Sequence, residues 1–433
     1  MSFPEGFMIG AATAAHQVEG NNTHSDYWLQ EAMPHSSFTE PSGEACDHYN
    51  RFREDVRLLK EAGLNAYRFS IEWARIEPEE GQFDEQEVEH YREVIRYCKS
   101  LGVEPIVTLH HFTSPAWLIR KGGWEVESTV GYFSRYAAFI AEKLGNELRY
   151  ICTINEANMG LQLAAIAKRF RMMAEQAQKA AAAGAKKAEG TVQVGMNFAK
   201  MMENMKYAAM ENAAAFGTPQ PQIFVSARTA EGDKLVMRAH QAAKAAIKNI
   251  CPSIRVGLTL SLHDLQALPG GESFEEAAWN EEFCHYLPYI EGDDFLGVQN
   301  YTRTQYGPTG QLPCPEGAEL TQMDYEFYPE ALEHVLRRVA KDFKGDIIIT
   351  ENGIATADDG RRVEFIRRAL GGVDACVRDG LPIKGYFYWS LLDNFEWQKG
   401  FSMTFGLIGV DRSTQTRSPK PSLSYLGSFS EKA

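Results

Sequence analysis

Apolar positions along this chain follow two rhythms that take turns. One is a helical face: Val88, Tyr91, Val94, Ile95, Cys98 and Leu101 recur at helical spacing, and Leu332, Val335, Leu336, Val339 and Phe343 repeat it. The other is a short, nearly unbroken apolar run, as in Pro105-Ile106-Val107-Thr108-Leu109 or Ile347-Ile348-Ile349-Thr350. A glycine precedes such runs: Gly63, Gly102, Gly145, Gly345 and Gly380. Glycine suits the residue after a helix, where the backbone commonly takes a positive φ. The alternation predicts a repeated helix–strand unit.

Counted this way, strands fall at 7–12, 66–70, 105–109, 150–155, 255–260, 295–299, 347–350 and 385–389. Runs that are apolar on both faces belong to a parallel sheet covered by helices. Eight such units are best satisfied by a closed barrel. The expected fold class is α/β, a single (β/α)8 TIM barrel with a long insertion after strand 4, with residues 1–433 forming one domain. A doubly wound open sheet is the competitor, but no Gly-x-Gly-x-x-Gly follows the first strand.

The spacing breaks once. Roughly a hundred residues separate Glu156 from Arg255, too many for one unit. Seven of the fourteen methionines lie between Met172 and Met210, around the alanine-rich stretch Ala180–Ala185. The expectation is helices on the barrel rim with methionine filling gaps. The alternative is an apolar wall beside the site at the barrel mouth.

Composition narrows the function classes. A net charge of −14 argues against a polyanionic partner, so no nucleic acid is expected. No window approaches the ~20 apolar residues of a membrane span, and the first residues lack the basic start of a signal peptide. The seven cysteines are scattered with no Cys-x-x-Cys, which reads as free, mostly buried thiols and a cytoplasmic location. The sequons at Asn21 and Asn300 are then accidental.

In such a barrel all strand ends open on one face, where catalytic groups collect. Reading past each strand yields Gln17 and Glu19, Arg68 with Glu72-Trp73, His110-His111, Asn155-Glu156, Asn300-Tyr301, Glu351, and Trp389 followed by Asp393-Asn394-Phe395-Glu396-Trp397. Amides and carboxylates bind vicinal hydroxyls, and aromatic faces stack on sugar C–H surfaces. Glu156 and Glu351 each follow a β-branched apolar run, a costly place for a lone charge. Two carboxylates at strand ends are what glycosidic-bond cleavage needs. Helix capping, a buried ion pair or a core histidine could each explain one of these residues, but not the joint pattern. No His-Glu-x-x-His spacing supports a metal site.

These residues resemble glycoside hydrolase family 1, the retaining β-glucosidase and β-galactosidase family, from Phe7 to about Pro421. The resemblance is carried by Phe-x-x-Gly-x-Ala-Thr-Ala-x-x-Gln-x-Glu-Gly at the start, Tyr67-Arg68-Phe69-Ser70, Thr153-Ile154-Asn155-Glu156, Asn300-Tyr301-Thr302-Arg303, Thr350-Glu351-Asn352-Gly353 and Trp389 to Trp397. It implies that Glu156 is the acid/base and Glu351 the nucleophile, ~5–5.5 Å apart for retention. It implies that Arg68 and Tyr301 keep Glu351 ionised, with Asn300 in support. Asn155 would bond the 2-hydroxyl, Gln17, His111, Glu396 and Trp397 the others, and Trp389 would be the sugar platform. His110 reads as structural.

The implied partner is a small-molecule β-glycoside or oligosaccharide, with no cofactor, no metal and no membrane; oligomeric state is left open. Relatives that cleave 6-phosphoglycosides lack a carboxylate at the position of Glu396, so an unphosphorylated β-glucoside is expected, with β-galactosides and β-fucosides as side substrates. The pattern departs from the family at Ala157, where proline is usual and whose loss should loosen that turn, at Phe112-Thr113 and at Thr404. A carbohydrate-binding barrel without catalysis would lack one glutamate. Glycosyl transfer to alcohols would use the same residues as hydrolysis.

Overall fold

The computed structural model describes residues 1, 3–180 and 195–430. Its centre is a parallel sheet of nine segments: β1 (Met8–Ala12), β2 (Ala66–Ser70), β3 (Glu104–His110), β4 (Tyr150–Ile154), β5 (Arg255–Gly257), β6 (Thr259–Ser261), β7 (Phe295–Gln299), β8 (Asp346–Asn352) and β9 (Ile383–Trp389). Hydrogen-bonded neighbours run from β5 back to β1, then through β9, β8 and β7 to β6. β5 and β6 are halves of one strand, interrupted at Leu258, and each pairs with a different neighbour. That strand joins the two ends of the sheet and closes an eight-stranded barrel, leaving no open edge.

Helices α1 (His48–Glu61), α2 (Glu85–Ser100), α3 (Ser128–Leu144), α4 (Met159–Ala180), α5 (Phe198–Phe216), α6 (Ala230–Ile250), α7 (Glu272–Glu282), α8 (Ala331–Asp342) and α9 (Asp359–Arg378) alternate with the strands. The faces read from sequence are the ones buried: Val88, Tyr91, Val94, Ile95 and Cys98 on α2, and Leu332, Val335, Leu336 and Val339 on α8. Asp84, Thr229 and Asp358 start their helices by accepting otherwise unpaired N–H groups of the first turn.

Alternate side chains of each strand divide between two cores. Met8, Ile106, Cys152, Phe295, Ile348 and Phe387 fill the barrel. Ile9, Val107, Ile151, Leu296, Ile347, Ile349 and Tyr386 face the helices. Strict alternation would therefore send residue 351 towards the helices. A β-bulge prevents this: Ile349 pairs with Val298, but Glu351, not Thr350, pairs with Gln299. The extra residue re-aims the strand, so Thr350 and Glu351 both serve the interior. The same bulge carries β8 on to Asn352, past the end expected at Thr350.

The long segment after β4 holds α4 and α5 before the barrel helix α6. The gap-filling expectation fails for four methionines of α5: Met202, Met205 and Met210 are more than 60% exposed, and Met201 is 36% exposed. The reason is that α5 is tied to the body by polar contacts on one side only. Lys200 Nζ donates to the Phe38 carbonyl, His35 pairs with Glu211 and stacks on Tyr207. The alanines at 181–185 and the side chains of Met172 and Met173 lie outside the described residues. Cys46, Cys98, Cys152, Cys251 and Cys376 are free and buried, while Cys314 is exposed.

Candidate active site

Glu351 enters the barrel mouth from the β8 bulge and is almost wholly buried. Arg68, from β2, donates to Glu351 Oε1 at 2.6 Å, and the Tyr301 hydroxyl donates to Oε2 at 2.6 Å. Burial pushes the Glu351 carboxyl up, while Arg68 and the Tyr301 hydroxyl oppose that by stabilising the anion. Each oxygen thus has a dedicated donor.

Glu156 stands just past β4, also buried, in a left-handed backbone conformation with φ of 43°. Thr259 of β6 fixes that turn: its hydroxyl accepts the Glu156 N–H at 2.8 Å and its carbonyl accepts the Ala157 N–H at 3.0 Å. Proline at 157 would have no N–H to give. The turn expected to be loosened by alanine is instead bonded to the neighbouring strand. Gln299 Nε2 donates to Glu156 Oε1 at 2.7 Å, and Oε2 has no hydrogen-bond partner among the described residues. Burial, then the Glu351 charge, holds the Glu156 carboxyl well above the usual carboxylate range. Gln299 is also the ladder partner of Glu351, so a single side chain spans the gap between the strand of one glutamate and the oxygen of the other. Both carboxyls are raised by burial, Glu156 well above its ordinary range, and among the described residues only Glu351 has a cation bonded to it.

Asn155 connects the two halves. Its Oδ1 accepts from Arg68 NH2 at 2.6 Å, which leaves Nδ2 to donate to His111 Nε2 at 3.2 Å. His111 is pushed well below the usual histidine range by burial and by Arg68. It is therefore neutral, accepts at Nε2 and carries its proton on Nδ1, which has no partner among the described residues. The ring lies between two indoles, 5.6 Å from Trp389 and 6.0 Å from Trp397. Phe112, at φ 70°, packs against Trp397 at 5.2 Å. His110 turns the other way, into a pocket of Trp124 and Phe224, with Nε2 against Ser114 Oγ.

Glu396 and Gln17 form a second polar pair. Gln17 Nε2 donates to the Phe395 carbonyl at 2.8 Å and lies 3.4 Å from Glu396 Oε2, while Gln17 Oε1 has no partner among the described residues. Burial lifts the Glu396 carboxyl to about 8, against hydrogen bonds from the Gly195 N–H and Gln17. Three elements thus present buried polar atoms without partners among the described residues: Gln17 Oε1, His111 Nδ1 and Glu156 Oε2. Buried groups of this kind are satisfied by a ligand that carries several hydroxyls.

Asn300 sits elsewhere than its neighbours suggested. Its Nδ2 donates to the Leu262 and Thr302 carbonyls, which shapes the loop behind Tyr301. Sequence reading passed over Gln299, one residue earlier, and Thr259, both bonded to Glu156. The inward register of Gln299 at the end of β7 was the available signal. Phe405, beside Tyr301 at 6.2 Å, was also missed. Thr404 is anchored to Gln322 Oε1 through its N–H and hydroxyl and stands behind this wall.

Comparison with known proteins agrees with this geometry. The sequence profile described as Glycosyl hydrolase family 1 matches residues 1–184 and 294–433. A beta-glucosidase of Agrobacterium sp. is 29% identical over 97% of this chain and 93% of its own. A 6-phospho-beta-galactosidase of Lacticaseibacillus casei is 29% identical over 99% and 98%. The crystal structure of beta-glycosidase BGL167 superposes with a TM-score of 0.84 at 42% identity, covering 99% of this chain and 97% of that one. With the barrel, the two glutamates and these matches in place, the chain belongs to glycosyl hydrolase family 1.

Proposed function

We propose that this protein releases terminal unphosphorylated β-D-glucose from β-glucosides by double displacement, with β-galactosides and β-fucosides as secondary substrates. The observation that carries the reading is the asymmetry between the two glutamates. Glu351 accepts from a guanidinium and a phenol, a setting that favours its anion, whereas the Glu156 carboxyl is held well above its ordinary range and has one oxygen without a partner among the described residues.

In the first step a Glu351 carboxylate oxygen attacks the anomeric carbon as the bond to the leaving oxygen breaks. Glu156 gives its proton to that oxygen. The Glu351 charge is consumed in the ester, so the main charge favouring the proton on Glu156 disappears. Glu156, now a carboxylate, takes a proton from water, which attacks the same carbon and returns the electron pair to Glu351. Asn155 takes the 2-hydroxyl, and Gln17 with Glu396 takes the 4-hydroxyl in either orientation. Trp389 is the stacking face.

Discrimination against 6-phosphosugars follows from charge. Among the described residues no lysine or arginine pairs with Glu396, so a phosphate beside it would be buried without a counter-ion. The test is hydrolysis of nitrophenyl β-glucoside against its 6-phosphate. Higher activity on the phosphate reverses the assignment. Glu351→Ala should abolish turnover, and added azide should then yield the inverted glycosyl azide. Unchanged hydrolysis in that variant would favour a binding protein with the chemistry elsewhere.

A further inference from the structure

Residues 195–197 lie outside the segments matched by the family profile, yet Gly195 lies against Glu396 and Asn197 is bonded to Gln398. The chain crosses the loop after β9 as a short strap just ahead of α5. Gly195 accepts the Gln398 N–H through its carbonyl at 3.0 Å, and the Asn197 N–H donates to Gln398 Oε1 at 2.8 Å. The Gly195 N–H is hydrogen-bonded to the Glu396 carboxyl. Met196, between these anchors, packs against the main core. The strap is buried at Gly195 and bonded to Gln398 at Gly195 and again at Asn197.

Glycine is required for this contact. A Cβ at residue 195 would lie 2.5 Å from the Glu396 carbonyl oxygen and 3.0 Å from both its Cγ and Oε1. Only a bare peptide can approach a side chain that closely without displacing it. On the side away from the strap, Glu396 meets Gln17.

We infer that the 195–197 strap is a specificity element: it closes the end of the sugar pocket distant from the reacting carbon and holds Glu396 in place to receive the sugar. The loop after β9 supplies the carboxylate, and a segment from the long insertion after β4 sets its position. Gly195 is here a positioning residue, acting through Glu396. The inference rests on the glycosidase reading above.

Two variants test it. Gly195→Ala inserts a methyl group into Glu396, and Gln398→Leu removes the side-chain acceptor of Asn197 without adding bulk at the pocket. Both are assayed with two aryl β-glucosides of different leaving-group acidity, and D-glucose is used as competitive inhibitor. The expected result is a rise of about fivefold or more in KM and in the glucose inhibition constant, equal for both leaving groups, with kcat within about threefold of the parent. Such a split means that ground-state grip on the sugar has been lost, which a general loosening of the fold would not produce selectively. Unchanged KM and inhibition constant in both variants would overturn the strap alone, the parent remaining active. So would an effect that depends on the leaving group, because the strap would then belong to the other side of the site. A parent protein inactive on every β-glycoside would overturn the glycosidase reading, and the strap with it.

Discussion

Arg68 grips Glu351 twice, at the carboxylate through a 2.6 Å bond and at the preceding peptide through a 3.3 Å bond to the Thr350 carbonyl. Its other terminal nitrogen holds Asn155. A lysine at this position would keep the charge but offer one point instead of a planar fork. Arg68→Lys should therefore lower kcat by about 100-fold, the scale of a 1 Å misplacement, with a smaller change in KM. Steady-state kinetics with one aryl glucoside suffice to check it.

Removing the charge altogether has a stability consequence. Arg68→Met leaves Glu351 buried without its cation, a loss of about 3–5 kcal/mol for a broken buried pair. The sign with pH is fixed. Without Arg68 the Glu351 carboxyl rises further, so the variant recovers stability as pH falls and Glu351 takes a proton. Denaturant unfolding at pH 5 and pH 8 would show the deficit shrinking at the lower value.

The reaction needs Glu351 charged and Glu156 protonated, so kcat/KM should trace a bell. The acid limb belongs to Glu351 and the alkaline limb to Glu156, whose carboxyl is raised by burial and then by Glu351. Glu351→Gln removes only the second cause. Titration of labelled glutamate side chains should show Glu156 falling in that variant while staying above the ordinary carboxylate range.

Gln299 should matter for the proton transfer more than for binding. Its bond to Glu156 Oε1 orients the acid. Gln299→Leu should cost about 10–100-fold in kcat on substrates with poor leaving groups, the range of a hydrogen bond to a group that becomes anionic as it gives up its proton. Strongly activated aryl glucosides, which need little protonation, should be nearly unaffected. An equal loss on both would show that Gln299 acts on the sugar instead.

Asp26 offers a test outside the chemistry. Burial lifts its carboxyl to about 8, and Oδ2 has no partner among the described residues. A carboxyl raised in the folded state stabilises below its unfolded pKa, and that contribution drains away as pH rises towards the folded value. For Asp26 the window runs from the ordinary aspartate value of 3.8 to about 8. Asp26→Asn should match the parent near pH 4 and exceed its unfolding free energy at pH 8, as read from urea titrations.

Much of the barrel could be read in advance because each strand is buried on both faces and each helix shows one apolar stripe. The two glutamates, Arg68, Tyr301 and His111 were legible because chemistry-bearing residues at strand ends share one mouth. Gln299 and Thr259 were not, because their roles depend on how β6 and β7 register against β4 and β8 across the closure of the barrel. Nor does composition reveal a bulge, since Thr350 looks like any β-branched strand residue. The exposed methionines of α5 misled for a related reason: an alanine- and methionine-rich helix has no sharp stripe to say which side will be covered.

The bulge at Thr350 separates two properties of the nucleophile that are usually inseparable. Its bearing comes from the main chain, locked by the ladder on one side and by Arg68 on the other, while its length comes from the side chain alone. Shortening glutamate to aspartate at 351 would then act as a ruler, withdrawing the attacking oxygen by one methylene along an unchanged line.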